Sequence, residues 1–319
     1  MADKKVLFLN ASHSVLAERL QALGFECIHD YESPKEVLAT QIDQYTGIVL
    51  RSRITLDAPF LAKAKNLRFI AREGVGLEHI DTQWAEAHGI HVFTSPEGSR
   101  DTVGEHALGL LLALMNNLAR ADRQVRQGQW IREGNRGVEI KGKTVGILGY
   151  GNMGRAFSQR LLGFECRVIA YDKYNTLYGD YFAQQVQLDT LFAQTDILSI
   201  HIPYTAANHH FVDDAFLSRF RKPIFIVNTA RGGVLDTAAL VRHLQSGHVK
   251  GAALDVLEYE EMSFEKLDLN HPPEPLAWLM QADNVVLSPH IAGWSFESKE
   301  GHARVLAEKI ELAVQQGFF

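Results

Sequence analysis

Val145-Gly-Ile-Leu-Gly149-Tyr-Gly151-Asn152-Met153-Gly154 reads as an apolar strand, a turn with glycines spaced G-x-G-x-x-G, and the opening of a helix. Each glycine answers a different demand. Gly149 permits a tight turn, Gly151 lets a pyrophosphate approach the backbone, and Gly154 allows the helix to pack closely on the strand. The helix N-terminus, with Asn152 and Met153 in its first turn, offers unpaired N–H groups and partial positive charge to phosphate. The next strand-like run, Arg167–Tyr171, ends at Asp172, 18 residues past Gly154. An acid at that distance accepts hydrogen bonds from the adenosine ribose hydroxyls. Its charge would repel a 2′-phosphate, so the pattern predicts NAD rather than NADP. The competing reading, a structural glycine turn beside a solvated aspartate, leaves that placement of Asp172 unexplained.

Short apolar runs alternate with helical patterns on both sides of this stretch. Val6–Asn10, Gly47–Arg51, Arg68–Ala71, Ile197–Ile200, Ile224–Asn228, Gly251–Leu254 and Asn284–Ser288 all read as strands. Such alternation predicts βαβ units, hence parallel sheets covered on both faces. An internal echo supports two such units. Gly24-Phe-Glu-Cys27 follows a strand and a helix, and Gly163-Phe-Glu-Cys166 does the same 139 residues later. At the turn equivalent to the glycine loop, the first unit reads Asn10-Ala-Ser-His-Ser-Val15, with no glycine. It is expected to share the architecture without holding a dinucleotide, which leaves it for substrate.

The 319-residue chain is 46% hydrophobic and 22% charged, the balance of an ordered globular protein. That length suits about two domains. A net charge of −6 argues against a general nucleic-acid or membrane-surface binder. Cys27 and Cys166 suggest neither a disulfide framework nor a cysteine zinc site, and His209 and His210 lack ligand-spaced partners, so no metal is expected. The longest apolar run, Ala107–Met115, is far short of the ~20 residues that span a membrane. The first residues lack a signal peptide's apolar core, so a cytoplasmic protein is expected. Thr102-Val-Gly-Glu105 fits a capping box opening one long helix to about Arg126. Its apolar first half is expected to be buried, in a core or against a second subunit.

Polar groups collect at the carboxyl ends of the later strands, where open α/β sheets bind ligands. Ile224–Asn228 runs into Thr229-Ala230-Arg231-Gly-Gly, and Gly251–Leu254 delivers Asp255 and then Glu258, Glu260 and Glu261. Asn284–Ser288 ends in Pro289-His290, beside Ala292 and Gly293.

With these motifs in place, the chain resembles the D-isomer-specific 2-hydroxyacid dehydrogenase family over essentially its whole length. The resemblance rests on Gly74-Val75-Gly76-Leu-Glu-His-Ile-Asp81, the glycine loop, His201-Ile202-Pro203, Asn228–Gly233, Gly251–Val256 and Ser288–Gly293, in matching order and spacing. It implies two Rossmann/flavodoxin-like doubly wound parallel-sheet domains with the active site in the cleft between them. Residues 1–98 plus 295–319 would form the substrate-binding domain and 99–294 the NAD-binding domain. It also implies a homodimer. Arg231 would clamp the 2-oxo acid carboxylate, His290 would be the acid/base, and Glu260 would orient the imidazole. Thr229, Ala230, Ile202, Pro203, Asp255, Ala292 and Gly293 would line the cofactor, and N–H groups at Val75 and Gly76 would meet the substrate carboxylate. The family usually has Pro directly after the catalytic Glu, whereas Glu261 follows Glu260 here. Register selects Glu260, 29 residues after Arg231. Residues 262–282, with Pro272-Pro-Glu-Pro275, read as an insertion.

Arg51-Ser-Arg53 bears on the substrate. In an extended strand both guanidinium groups would project to one face and call for an anion between them. A solvated strand end paired with Asp57 or Glu73 is the alternative on chemistry alone. The segment resembles that of D-3-phosphoglycerate dehydrogenases, which implies that Arg51 and Arg53 meet a substrate phosphate in a short form of that enzyme, at the start of serine biosynthesis. A hydroxypyruvate/glyoxylate reductase is the alternative within the family. An NADH-sensing corepressor-like binding protein is a more remote one, set against the presence of Arg231, Glu260 and His290.

Overall fold

The computed structural model describes residues 4–175, 178, 180–261 and 267–319. The chain divides into two compact units. One takes the residues up to Ser99 together with Trp294–Phe319; the other takes Arg100–Glu260 with Leu267–Gly293.

Among the described residues the first unit carries strands β1 (Lys5–Phe8), β2 (Glu26–His29), β3 (Gly47–Leu50), β4 (Phe69–Arg72) and β5 (His91–Thr94). They pair in parallel in the order β2-β1-β3-β4-β5. Strand side chains alternate between faces, and here both faces are buried. Leu7, Ile48, Leu50 and Ile70 enter one apolar cluster, while Val6, Phe8, Val49, Phe69 and Ala71 enter another. Unbroken apolar runs are what two covered faces require.

The second cluster is completed by the closing helix, Phe296–Gln315, through Ala303, Leu306, Ala307 and Ile310. Ser295 and Ser298 cap that helix reciprocally, each hydroxyl accepting the other's backbone N–H at 2.9 Å. The helix docks backbone to backbone on the turn Pro96–Gly98: a Cβ on Gly301 would sit 2.6 Å from the Gly98 carbonyl oxygen. His302, beside it, places Nδ1 2.8 Å from the Ser95 hydroxyl.

The second unit adds β6 (Thr144–Leu148), β7 (Arg167–Tyr171), β8 (Gln184–Gln185), β9 (Ile197–Ile200), β10 (Ile224–Asn228), β11 (Val249–Leu254) and β12 (Val285–Leu287). The order β12-β11-β10-β9-β6-β7-β8 is all parallel. The chain reverses direction across the sheet between β6 and β9, the switch point where such sheets bind ligands. The glycine loop follows β6 and His201 follows β9, so both flank it.

Three expectations need correction. The single long helix is two, Arg100–Met115 and Leu118–Arg126, separated where Asn117 adopts a left-handed φ of 54°. The first begins two residues before Thr102, so the capping-box reading fails. It buries Val103, Ala107, Leu110, Leu111 and Leu114 at helical spacing within its own unit, which accounts for its apolar character. The tetrapeptide echo does mark a strand–helix–strand unit in each domain, but its two copies turn differently, the first at Gly24, φ 85°, and the second at Glu165, φ 51°. Finally, β3 stops at Leu50, so Arg51 and Arg53 do not lie on an extended strand. Of the expected insertion, residues 262–266 lie outside the described residues, and Glu274–Gln281 forms a helix. No helix among the described residues is long and apolar enough to cross a membrane.

The Gly98–Gly301 contact leaves no room for a side chain. Gly301→Val should therefore lower stability by about 1–3 kcal/mol through forced displacement of the closing helix. Urea unfolding would show this as an earlier midpoint; an unchanged midpoint would mean the helix end is free to shift.

Candidate active site

The glycine loop is built as its sequence requires. Gly149 leaves β6 at φ 94°, and a Cβ there would lie 2.8 Å from the His201 carbonyl oxygen. A Cβ on Gly154 would meet the Gly149 carbonyl oxygen at 2.2 Å, so helix Asn152–Arg160 can approach only without one. Gly151 faces open space and caps that helix without a side-chain hydrogen bond. Its first-turn N–H groups are thus left for an anion.

Asp172 closes the loop from β7. One carboxylate oxygen accepts the Tyr150 N–H at 2.8 Å, and the other accepts those of Tyr174 and Asn175, both at 2.9 Å. A pocket of about 130 Å³ lies here, lined by Gly149, Gly151, Asp172, Ile202 and Pro203. Thr229, after β10, is buried, and its hydroxyl has no hydrogen-bond partner among the described residues. A buried orphan hydroxyl asks for a ligand or water. Cradle, pocket, acid and orphan hydroxyl together fit a dinucleotide.

At the ends of β11 and β12 a buried carboxylate organises the turn that carries His290. Asp255 is 1% exposed. Its Oδ1 accepts the Ser288 hydroxyl at 2.5 Å and the Ile291 N–H at 3.0 Å, with His106 Nε2 3.3 Å away; Oδ2 accepts the Ala292 N–H at 2.7 Å. The Asp255 carbonyl accepts the His290 N–H at 2.8 Å. These bonds hold His290 in a left-handed conformation, φ 53°, that is rare for a side chain of its size.

His290 Nδ1 then meets Glu260 Oε2 at 2.6 Å. The other Glu260 oxygen accepts the Leu257 N–H at 2.5 Å, so the carboxylate is itself aimed. The neighbouring acids go elsewhere: Glu258 binds His210 Nε2 at 2.6 Å, and Glu261 is exposed. Arg231 follows a turn shaped by buried Asn228, whose side-chain oxygen accepts the Ala230 N–H at 3.0 Å. His290 thus touches both Asp255 and Glu260, with Arg231 at the end of β10, next to β11.

The remaining expected residues lie in the first unit. Val75 is exposed after β4. Arg51 approaches Glu73, its Nε 3.7 Å from Oε2. Arg53 donates one terminal nitrogen to the Ser33 carbonyl at 3.0 Å and the other to that of Asp30 at 3.1 Å. It acts as a brace between loops. His106 and Ser288 were not among the expected site residues: nothing local in the sequence marks a histidine 149 positions before the carboxylate it serves.

A family model described as D-isomer specific 2-hydroxyacid dehydrogenase, NAD binding domain, matches residues 108–292. A hydroxypyruvate reductase from Thermotoga maritima is 38% identical over 278 residues, covering 86% of this chain and 87% of that protein. A D-3-phosphoglycerate dehydrogenase from Archaeoglobus fulgidus is 35% identical over 86% of this chain but only 51% of its own length. The chain thus spans about half of that relative. Among solved structures, an NADPH-dependent glyoxylate/hydroxypyruvate reductase from Sinorhizobium meliloti superposes with a TM-score of 0.80, at 27% identity, covering 98% of this chain and 94% of that one.

Burial alone would raise the Asp255 pKa, but the bonds from His106, Ser288, Ala292 and Ile291 outweigh it and hold the group below its ordinary value. A carboxyl depressed by folding stabilises the fold fully above its unfolded pKa of about 3.9, and loses that contribution as pH falls through the lower folded value. Asp255→Asn should cost about 2–5 kcal/mol at neutral pH and flatten the acid limb of the stability profile. Urea unfolding between roughly pH 3 and 7 checks both; an acid limb like that of wild type would contradict the assignment.

Proposed function

Because the chain belongs to the D-isomer-specific 2-hydroxyacid dehydrogenase family, we propose that it oxidises D-3-phosphoglycerate to 3-phosphohydroxypyruvate with NAD. The chain is an oxidoreductase of 2-hydroxy acids with an NAD-binding domain.

The chemistry follows from the contacts above. Glu260 holds the Nδ1 side of the His290 ring, so Nε2 is the nitrogen that takes the C2 hydroxyl proton. A bound nicotinamide would supply the acceptor for the hydride leaving C2. Arg231 pairs with the substrate carboxylate and stabilises charge on the C2 oxygen. Thr229, Ala230, Ile202, Pro203, Ala292 and Gly293 would line the cofactor. Asp255 positions His290 from behind, through the backbone that follows it.

One observation carries the phosphorylated substrate. The terminal nitrogens of Arg51 make no hydrogen bond to any described residue, leaving a two-pronged donor suited to a phosphate. The reaction would belong to serine biosynthesis in the cytoplasm. Exposed Leu118, Val125, Trp130 and Ile131 support self-association as a homodimer. A hydroxypyruvate/glyoxylate reductase is the second reading, favoured by the near full-length match to the Thermotoga enzyme and by the engagement of Arg53 with backbone.

NADH oxidation with 3-phosphohydroxypyruvate, hydroxypyruvate and glyoxylate separates the two. The proposal expects preference for the phosphorylated acid, with Arg51→Ala lowering its kcat/KM by about 10–100-fold and leaving glyoxylate nearly unchanged. Equal turnover of the small acids, indifferent to Arg51, would establish the reductase instead. His290→Ala should lower kcat by about 10²–10⁴-fold with every substrate while NADH still binds.

A further inference from the structure

Arg51 and Arg53 sit two residues apart and meet different fates. Arg53 is committed to two backbone carbonyls. Arg51 is held at three points, none of which uses its terminal nitrogens. Its backbone N–H donates to Asn10 Oδ1 at 2.8 Å, its Nε faces Glu73 Oε2 at 3.7 Å, and its guanidinium lies 5.4 Å from the centre of the Trp294 ring.

Each support is itself fixed or otherwise unexplained. Glu73 is 3% exposed, and its second oxygen accepts the Ser12 hydroxyl at 2.5 Å. Trp294 is 70% exposed and belongs to none of the apolar clusters, so packing gives no reason for an indole there. Its contact with Arg51 does. An aromatic face attracts a cation within about 6 Å. A guanidinium held beside such a face keeps its in-plane N–H groups for another acceptor.

We propose that Trp294 is a specificity-determining positioning residue, which with Glu73 holds the Arg51 guanidinium so that its two terminal nitrogens receive the phosphate ester of the substrate. This rests on the phosphorylated-substrate reading above. Glu73 supplies the counter-charge on the Nε side and Trp294 restricts the swing of the side chain. Arg51 thus gives up less rotamer freedom when the anion arrives. A phosphate contact that is the same in ground and transition states puts its loss on KM rather than kcat.

The test measures NADH oxidation by wild type, Trp294→Ala, Trp294→Phe and Arg51→Ala, with 3-phosphohydroxypyruvate and with glyoxylate. Inorganic phosphate serves as a competing anion. The exposed position of Trp294 makes its removal harmless to the core. Trp294→Ala should raise KM for the phosphorylated acid by about 3–30-fold, the size of a cation–π contact, with kcat and the glyoxylate parameters nearly unchanged. Inhibition by inorganic phosphate should weaken in parallel, and Trp294→Phe should restore part of both effects. If Arg51→Ala raises that KM but Trp294→Ala does not, the role of Trp294 is overturned and the substrate reading survives. An equal loss with glyoxylate in Trp294→Ala would also overturn it, showing a general structural role. If Arg51→Ala itself leaves KM for the phosphorylated acid unchanged, the substrate reading falls and this inference falls with it.

Discussion

Asp255 is met at once by a hydroxyl just past β12, two N–H groups of the following turn and a histidine of the helix Arg100–Met115, and this end of the second unit is arranged around it. Taking a carboxylate to 1% exposure is costly unless its lone pairs are filled. Here Ser288, Ile291, Ala292 and His106 fill them. Two of these donors are the backbone N–H groups that follow His290. Satisfying the buried charge therefore dictates the path of the chain just where the imidazole must be presented. The left-handed His290 is a consequence of that constraint, and Glu260 then has one ring nitrogen to engage.

The dinucleotide loop depends on the opposite kind of constraint, the absence of atoms. At Gly149 and Gly154 the neighbouring carbonyl oxygens occupy the space a Cβ would take. The close approach that results brings a helix N-terminus to the switch point of the sheet, where N–H groups and Asp172 face the same pocket. Filled lone pairs on one side of the unit and empty Cβ positions on the other produce a glycine cradle after β6 and a His290–Glu260 contact beyond β11 and β12.

The first unit repeats the architecture with a different end. Its loop after β1 lacks glycines, and in place of a phosphate cradle Ser12 of that loop bonds Glu73, which follows β4 and faces Arg51. The two arginines show how little spacing alone decides. Both were candidates for one anion, yet β3 ends before them and the chain turns. Loop carbonyls at Ser33 and Asp30 then capture one guanidinium, while Glu73 and Trp294 frame the other. The shared Gly-Phe-Glu-Cys tetrapeptide is a similar case. Its two copies turn at different residues because their flanking helices end differently.

By itself the sequence determined the two parallel sheets, since unbroken apolar strands require cover on both faces, and the glycine loop with Asp172, since their spacing is local. It also singled out Arg231, Glu260 and His290, through motifs that each occupy a few adjacent positions. Edge strand β5, His91-Val-Phe-Thr94, escaped it because a half-buried strand lacks that apolar signature. Only the tertiary structure broke the long helix at Asn117, paired His106 with Asp255, turned Arg53 to the backbone and set Trp294 against Arg51. Such outcomes depend on which distant groups fold into contact, and a hydrogen bond or a stacked ring carries no trace of its partner in the residues beside it.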